Sequence, residues 1–318
     1  MSIITLLTDF GTQDEYVGLM KGVILTINPA ATIIDITHAI DSQDIVQAAY
    51  AIHSAYRYFP PDSVHLIVVD PGVGTERSLL ALEVRNQFFV APDNGVLTLL
   101  FGESEETRLV RLSNADFFWD TVSRTFHGRD IIAPVGAHIS KGTDLFQLGD
   151  SITPAEAVWL KDIGAYRRDS GEITGTIVTV DHFGNLISNI PHQMLKQTEQ
   201  FATGKQINIR IGCHVIHGIF RTYADVQPNE ALGLIGSRGY LEIAVNKGNA
   251  ARELNVGKGD TVRVKILQVT VNVVQYKFGK WIISAKNIKP GRALQETVND
   301  PNRTNAGLFC LSGNTAKP

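Results

Sequence analysis

The chain has 318 residues, of which 44% are hydrophobic and 19% are charged, and its net charge at pH 7 is −3. This composition excludes a disordered chain, and the length is enough for two globular domains that each have their own core. Because the net charge is small and negative, we expect neither nucleic acid nor an anionic membrane as a partner.

The N-terminal part of the sequence alternates strand-like and helix-like patterns. Short apolar runs predict strands, and apolar residues at helical spacing predict helices. The predicted strands are 3–8, 32–36 and 64–69, and the predicted helices are 14–27 and 44–59. This alternation is typical of an α/β domain with a largely parallel sheet, which we assign to residues 1–150. Functional groups collect at the carboxyl ends of such strands, where Asp9 and Asp70 lie.

The remainder of the chain has a different pattern. Residues 151–172 contain Pro, Gly and clustered charges, and we interpret them as a linker. From 173 to 268, short alternating runs separated by turn residues predict a C-terminal antiparallel β-barrel domain. Residues 269–318 are a C-terminal extension of unknown role, in which 269–284 has room for one or two strands.

The cysteine content and the apolar runs bear on the compartment. Cys213 and Cys310 provide neither a disulfide framework nor the spacing of a metal site. The N-terminal apolar run is short and has no basic residues before it, unlike a signal peptide. The sequence contains no run of about 18 apolar residues, the length of a membrane-spanning helix. We therefore expect a cytoplasmic protein.

The segment Thr8-Asp9-Phe10-Gly11 resembles the magnesium-binding triplet of protein kinases, but no glycine-rich loop or catalytic-loop motif precedes it. Two interpretations of Asp9 remain open. Its carboxylate could cap the following helix, or it could bind both hydroxyls of a ribose, as acidic residues do in nucleotide-binding folds. Asp14 lies about one helical turn further on and could support the ribose-binding role.

Two further segments of the first domain contain candidate functional residues. Residues 69–78 combine Asp70, two glycines and Arg77, but no Lys-Ser or Lys-Thr follows, so a phosphate-binding loop is not indicated. Asp70 and Arg77 could form a purely structural ion pair in a glycine turn. His127, in Phe126-His127-Gly128-Arg129-Asp130, could be structural, as a lone histidine more often is, or catalytic.

The predicted barrel contains two segments rich in hydrogen-bonding groups. Residues 180–185 place a carboxylate, an aromatic ring and an amide around one turn, and residues 237–246 place donors before a strand. Each could be ordinary hairpin chemistry. His214 and His217 have no third partner, and their spacing puts them on opposite faces of a strand. We therefore predict no metal site.

Taken together, these segments resemble those of one family. The stretches TDFGTQDEYVG, VDPGVGTERS, FHGRDI, DHFGN and SRGYLEIAVN occur in this order over residues 2–267. They are similar to those of the S-adenosyl-L-methionine (SAM) hydroxide adenosyltransferases, or SAM hydrolases, which are relatives of the fluorinating and chlorinating SAM enzymes. The resemblance implies SAM as substrate, no cofactor, and a homotrimer with active sites between neighbouring subunits.

The resemblance also implies roles for individual residues. Asp70, Arg77 and His127 match the trio that handles water. Asp9 would bind the ribose, Asp181 the methionine ammonium, and Ser237 and Arg238 the substrate carboxylate, while Asn185 and residues 245–246 would lie near adenine. The predicted substrate-binding residues are Asp9, Asp14, Asp181, Phe183, Asn185, Ser237, Arg238, Glu242, Val245 and Asn246. Gln43 stands where halogenating relatives have tryptophan, which leaves the substrate packing there open.

The implied reaction needs a positioned water more than an acid, because methionine leaves a sulfonium as a neutral thioether. Positioning alone lowers barriers by about 7–11 kcal/mol in favourable cases. We expect Asp70 to repel a halide, at roughly 4 kcal/mol for like charges about 4 Å apart. A non-catalytic SAM or adenosine sensor remains an alternative, and a SAM-dependent halogenase or methyltransferase is a further one.

Overall fold

A computed structural model describes residues 2–104, 106–199, 205–268, 271–277 and 280–285. The strands are β1 (Ile3–Thr8), β2 (Thr32–Thr37), β3 (Val64–Val68), β4 (Leu79–Val84), β5 (Gln87–Pro92), β6 (Thr107–Leu112), β7 (Gly149–Ile152), β8 (Tyr166–Arg167), β9 (Ile173–Val180), β10 (Leu186–Pro191), β11 (Lys205–Ile211), β12 (His214–His217), β13 (Ala231–Ile235), β14 (Tyr240–Val245), β15 (Thr261–Gln268), β16 (Val271–Lys277) and β17 (Lys280–Ala285). The α-helices are α1 (Tyr16–Ile27), α2 (Ile45–Ala55), α3 (Ala133–Ser140), α4 (His192–Glu199) and α5 (Ala250–Glu253).

The first sheet has seven strands in the order β2-β1-β3-β5-β4-β6-β7. Its first three pairings are parallel and its last three are antiparallel, so the predicted α/β class is confirmed and the sheet is mixed. The direction reverses at the β4–β5 hairpin, where Arg85 and Asn86 have φ values of 52° and 57°. Two successive residues in the left-handed region are typical of the tight turn that joins antiparallel strands.

Strand β1 is covered on both faces, which explains its continuous apolar sequence. Ile4 and Leu6 pack in one core cluster with residues of α1 and α3, whereas Leu7 packs in a second cluster with residues of α2. Strands β1 and β3 are parallel neighbours, with Thr8 opposite Val68. The residues that follow these two strands, including Asp9 and Asp70, therefore lie at the same edge of the sheet.

The C-terminal strands form an antiparallel, nearly closed barrel in the order β12-β11-β15-β9-β10-β14-β13, with β8 beside β9. The two ends of this order approach each other where the Phe220 N–H donates to the Gly233 carbonyl at 2.8 Å. The interior is an aliphatic cluster that includes Ile177, Leu241 and Ile243. The predicted antiparallel barrel is confirmed.

Both sheets belong to one compact unit, Met1–Gln200 with Ile207–Ile266. Within it, helix α2 contacts the barrel through a cluster of Tyr50, Val178, Ile187 and Tyr240. The predicted room for strands at 269–284 corresponds to the β16–β17 hairpin, while residues 286–318, including Cys310, lie outside the described residues. Over the described part of the chain, no helix has the length and apolar character needed to cross a membrane.

Candidate active site

Asp70, Arg77 and His127 are brought together at the carboxyl end of β3. The Arg77 Nε–H lies 3.0 and 2.9 Å from the two Asp70 carboxylate oxygens, and Arg77 Nη2 also donates to Asp70 Oδ2. The same Nη2 donates to His127 Nδ1 at 2.9 Å. The Asp70 and Arg77 side chains are only 6% and 10% exposed. The Asp70–Arg77 ion pair considered from the sequence therefore exists, and Arg77 also binds His127.

The glycine turn between Asp70 and Arg77 allows a close approach by another part of the chain. Gly74 has φ +80°, and a Cβ there would lie 2.6 Å from the Arg124 carbonyl oxygen. A side chain at this position would therefore be strained and would push away the loop that precedes His127.

His127 stands at the start of an irregular helix. Gly128–Ile132 is a π-helical turn, a feature often found at functional sites. Behind it, the fully buried Asp130 carboxylate accepts hydrogen bonds from Arg129 and, at 2.8 Å, from the Ser123 N–H. These bonds connect the preceding loop to the helix and so fix the position of His127.

The protonation state of His127 follows from its surroundings. Burial first, and the nearby Arg77 charge second, lower the pKa of His127 below its usual 6.5. The imidazole is therefore neutral at pH 7, and because Nδ1 accepts from Arg77, its proton lies on Nε2. Nε2–H is then the donor of this ring.

The ion pair changes one expectation from the sequence. The charge of Arg77 offsets that of Asp70, and a neutral His127 adds none, so the three side chains together carry no net charge. Repulsion of a halide by an isolated Asp70 carboxylate is therefore weaker than expected. What distinguishes this group from a halide pocket is the acceptor capacity of the Asp70 oxygens, which suits water.

Asp9 follows β1, the strand beside β3, and does not cap helix α1. Its Oδ2 accepts from the Gln43 N–H at 2.8 Å, and Gln43 has φ 66°, a conformation that favours glycine. Helix α1 follows Glu15, which makes no side-chain cap hydrogen bond. The helix-capping alternative for Asp9 is therefore wrong. Asp14 is exposed just before this helix, and its supporting role stays a prediction.

An aromatic cluster connects the Asp9 loop with the His127 segment, and sequence reasoning did not find it. The rings of Phe10, Tyr16 and Phe126 lie 5.2 to 5.6 Å apart, centroid to centroid. Two of these rings are adjacent in sequence to Asp9 and His127. The cluster thereby packs the segment that contains Asp9 against the segment that contains His127.

A second cluster of predicted site residues lies on the barrel. The Asp181 carboxylate accepts from the backbone N–H groups of Phe183 and Asn185 at 2.9 and 2.8 Å, and from the Asn185 amide at 2.9 Å. Asn185 is buried, whereas Phe183 is 73% exposed. Hairpin chemistry thus explains part of this motif, since Asp181 orders the turn that presents the Phe183 ring.

Glu242 is buried near this turn and is paired with a tyrosine missing from the predicted set. The Tyr223 hydroxyl donates to Glu242 Oε1 at 2.6 Å. Burial chiefly, with the nearby Asp181 charge, raises the pKa of Glu242, while Tyr223 and Arg238 oppose the rise. Ser237 and Arg238 themselves are exposed in the turn before β14.

The remaining predicted residues have local roles. Val245 is buried in the barrel core, and the Asn246 amide donates to the Val226 carbonyl at 2.8 Å. His214 contacts the Leu254 carbonyl and His217 contacts Asn208, so the two histidines have separate partners. Among the described residues, no hydrogen bond or ion pair joins the Asp70 cluster with the Asp181 cluster.

Comparison with known proteins decides the family. The N-terminal domain model of the SAM hydroxide adenosyltransferases matches residues 4–149, and the C-terminal domain model matches residues 175–263. The chain belongs to the SAM hydroxide adenosyltransferase family. A Salinispora tropica member named (R)-S-adenosyl-L-methionine hydrolase is 36% identical, with 82% of this chain and 97% of the relative covered.

Other members of the wider group are also similar. A fluorinase from an Actinoplanes species is 28% identical, over 82% of this chain and 97% of its own. The crystal structure of a conserved Thermotoga maritima protein superposes with a TM-score of 0.75 at 38% identity, covering 82% of this chain and 99% of that one. The two family models together extend from residue 4 to residue 263, which lies in β15.

Proposed function

We propose that this hydroxide adenosyltransferase hydrolyses SAM to adenosine and L-methionine by direct attack of water on C5′. The observation that supports this proposal most is Arg77, which contacts both Asp70 and His127 at one buried point. A water held there would have an acceptor in Asp70 and a donor in His127 Nε2–H. Asp9 follows β1, the parallel neighbour of β3, and would hold the ribose at the same edge of the sheet.

The chemical step balances without a cofactor or metal. The water oxygen forms a bond to C5′ while the C5′–sulfur bond breaks and its electron pair remains on sulfur. Methionine therefore leaves as a neutral thioether. One proton of the water stays on the 5′-hydroxyl of adenosine, and the other passes to the Asp70 carboxylate and then to solvent. Fixed groups in a water-poor site stabilise the developing hydroxide character at no cost of reorganisation.

We further propose that the active enzyme is a homotrimer whose substrate site lies between neighbouring chains. The support is that the water-handling cluster and the barrel cluster share no hydrogen bond in the described part of one chain. A substrate that contacts both clusters would then bind between the water-handling cluster of one chain and the barrel cluster of a second copy. We also propose a cytoplasmic location, which agrees with Cys213 being an exposed free thiol.

The reaction is tested in water enriched in oxygen-18, with SAM supplied as the (R) epimer because the Salinispora tropica relative is named for it. We expect label on the 5′-hydroxyl of adenosine and none on methionine, since only the nucleoside gains a bond to solvent oxygen.

The same incubation separates the alternatives. A halogenated nucleoside in the presence of chloride or fluoride would identify a halogenase, the activity in the name of the Actinoplanes relative. S-adenosylhomocysteine would identify a methyltransferase. Intact SAM after prolonged incubation with folded protein would identify a sensor, and each of these results contradicts the proposal.

A further inference from the structure

Strand β14 is attached to the α/β domain at Tyr240, between two candidate substrate-binding positions. Arg238 is two residues before Tyr240 in the preceding turn, and Glu242 is two residues after it. Because side chains alternate along a strand, Tyr240 and Glu242 lie on the same face of β14, while Leu241 and Ile243 face the barrel core. The attachment point is therefore central to this part of the site.

The attachment itself is a buried hydrogen bond across the two domains. Tyr240 is 8% exposed, and its hydroxyl lies 3.1 Å from Nδ1 of His53 on helix α2. Burial raises the pKa of Tyr240 to about 12, so the hydroxyl keeps its proton. The Tyr240 ring also packs edge-on against Tyr50, with centroids 5.3 Å apart.

His53 is held in place from its other side. Its Nε2 lies 2.8 Å from Glu103 Oε1, and this carboxylate also accepts from Arg57 Nη2 at 2.6 Å and from the Tyr56 hydroxyl at 3.0 Å. Since a carboxylate only accepts, His53 donates through Nε2 and accepts the Tyr240 hydroxyl at Nδ1. Both ring nitrogens are used, so the ring orientation is fixed.

We propose that Tyr240 and His53 are positioning residues that hold the Ser237–Arg238 turn and Glu242 where they recognise the methionine part of SAM. This inference rests on the proposed function, and neither residue contacts the reacting atoms. A turn attached to the α/β domain of its own chain keeps a constant orientation, and so does the surface that the barrel presents to a substrate bound between chains. Release of the attachment therefore weakens recognition of the amino-acid arm more than recognition of the ribose by Asp9, which lies on the α/β domain.

The test is Tyr240→Phe in the full chain, which removes only the hydroxyl. We expect the KM for SAM to rise about fivefold, the effect of one lost hydrogen bond, with kcat and the inhibition constant of adenosine within about twofold of wild type. Adenosine is the informative probe because it has the ribose and base but no amino-acid arm. Tyr58→Phe is the matched control, since Tyr58 is 79% exposed.

A second variant, His53→Ala, and the double variant with Tyr240→Phe distinguish loss of this hydrogen bond from a general loss of folding. If the two side chains act through one hydrogen bond, the double variant has nearly the same KM as the worse single variant. Equal weakening of SAM and adenosine, an unchanged KM for SAM in folded Tyr240→Phe, or additive effects in the double variant would each overturn the inference. Absence of SAM hydrolysis by the wild type would instead refute the proposed function, and calorimetric binding of SAM and adenosine would then test the positioning alone.

Discussion

Individual side chains of the site have separable roles, because Asp9 and Arg77 contact different neighbours. Asp9 accepts from Gln43 N–H through one oxygen and is the proposed ribose-binding residue, whereas Arg77 joins Asp70 to His127. Loss of Asp9 should therefore affect nucleoside binding, and loss of Arg77 should affect the chemical step.

We expect Asp9→Ala to weaken adenosine and SAM binding by about 1.5–3 kcal/mol, the range for hydrogen bonds to charged groups. Arg77→Ala and His127→Ala should instead reduce kcat by about 100-fold with smaller effects on KM, as for loss of one transition-state donor. Steady-state kinetics and adenosine inhibition measure both. Arg77→Lys is the control for charge, because lysine keeps the positive charge but cannot make the two-nitrogen contact with Asp70. Purely affinity-based losses in all variants would mean that the trio only binds.

The pH dependence of the reaction should follow His127. Its pKa is lowered below 6.5 by burial and by Arg77, and the neutral ring is the form that accepts from Arg77. Activity should therefore be constant through pH 7 and decline only when the pH falls below 6.5. The profile of kcat/KM against pH measures this, and an acid limb above 6.5 would contradict the assigned protonation state.

At the scale of elements, strand β3 contains a buried histidine that makes the sheet sensitive to acid. His65 is fully buried, with Nδ1 2.7 Å from Thr5 on β1 and Nε2 2.7 Å from Gln87 on β5. Burial lowers the pKa of His65 to about 4. Between pH 6.5 and 4 the unfolded chain binds this proton and the folded chain does not, so stability falls as the pH falls.

We expect the free energy of unfolding to decrease by up to about 3 kcal/mol between pH 7 and pH 4 from this residue alone. Urea unfolding at several pH values measures it. His65→Gln keeps hydrogen-bonding groups without a titrating ring, and this variant should show a smaller decrease than wild type. An identical decrease in both proteins would assign the acid sensitivity to other groups.

The elements were more predictable from sequence than the contacts between them. Strand Ile3–Thr8 matches its predicted range, and Thr32–Thr37 and Val64–Val68 end within one residue of theirs, because apolar runs bounded by turn residues are a local signal. Helix α2 ends at Ala55, short of the predicted residue 59, because a 3₁₀ turn replaces its last part. The antiparallel β4–β5 hairpin depends on positive φ at both Arg85 and Asn86, and the pair of residue types does not predict this conformation.

Within the candidate site too, contacts between distant parts of the chain could not be predicted from the sequence. The Asp70–Arg77 pair could be anticipated from its spacing within one loop, whereas the Tyr223–Glu242 bond joins side chains 19 positions apart through the barrel. The aromatic contact of Phe10 with Phe126 likewise depends on the order of strands in the sheet. Pairings of this kind are set by tertiary packing, which single-sequence patterns do not encode.

At the scale of the whole molecule, a site shared between chains can be tested by complementation. Asp70→Asn and Asp181→Asn should each abolish most activity, and asparagine at 181 can still accept the turn's backbone N–H groups. When the two variants are refolded together as mixed trimers, some sites receive intact residues from both chains. We expect roughly a quarter of wild-type activity, as random assembly of a cyclic oligomer requires.

Light scattering is the companion measurement, and the expected mass is three times that of the 34.8 kDa chain. Separately refolded variants mixed without subunit exchange are the control and should stay inactive. An active monomer, or mixed trimers without recovered activity, would mean that each chain has a complete site of its own.

The pairing of β1 with β3 also determines when the edge of the sheet that contains Asp9 and Asp70 forms during synthesis. Thr5 on β1 meets His65 on β3 across 60 positions of sequence, so β1 leaves the ribosome long before this partner exists. Contacts of this kind form slowly, because a long loop must close before any of them is made. A nascent chain whose local hairpins and helices have already formed is therefore still without this edge of the sheet.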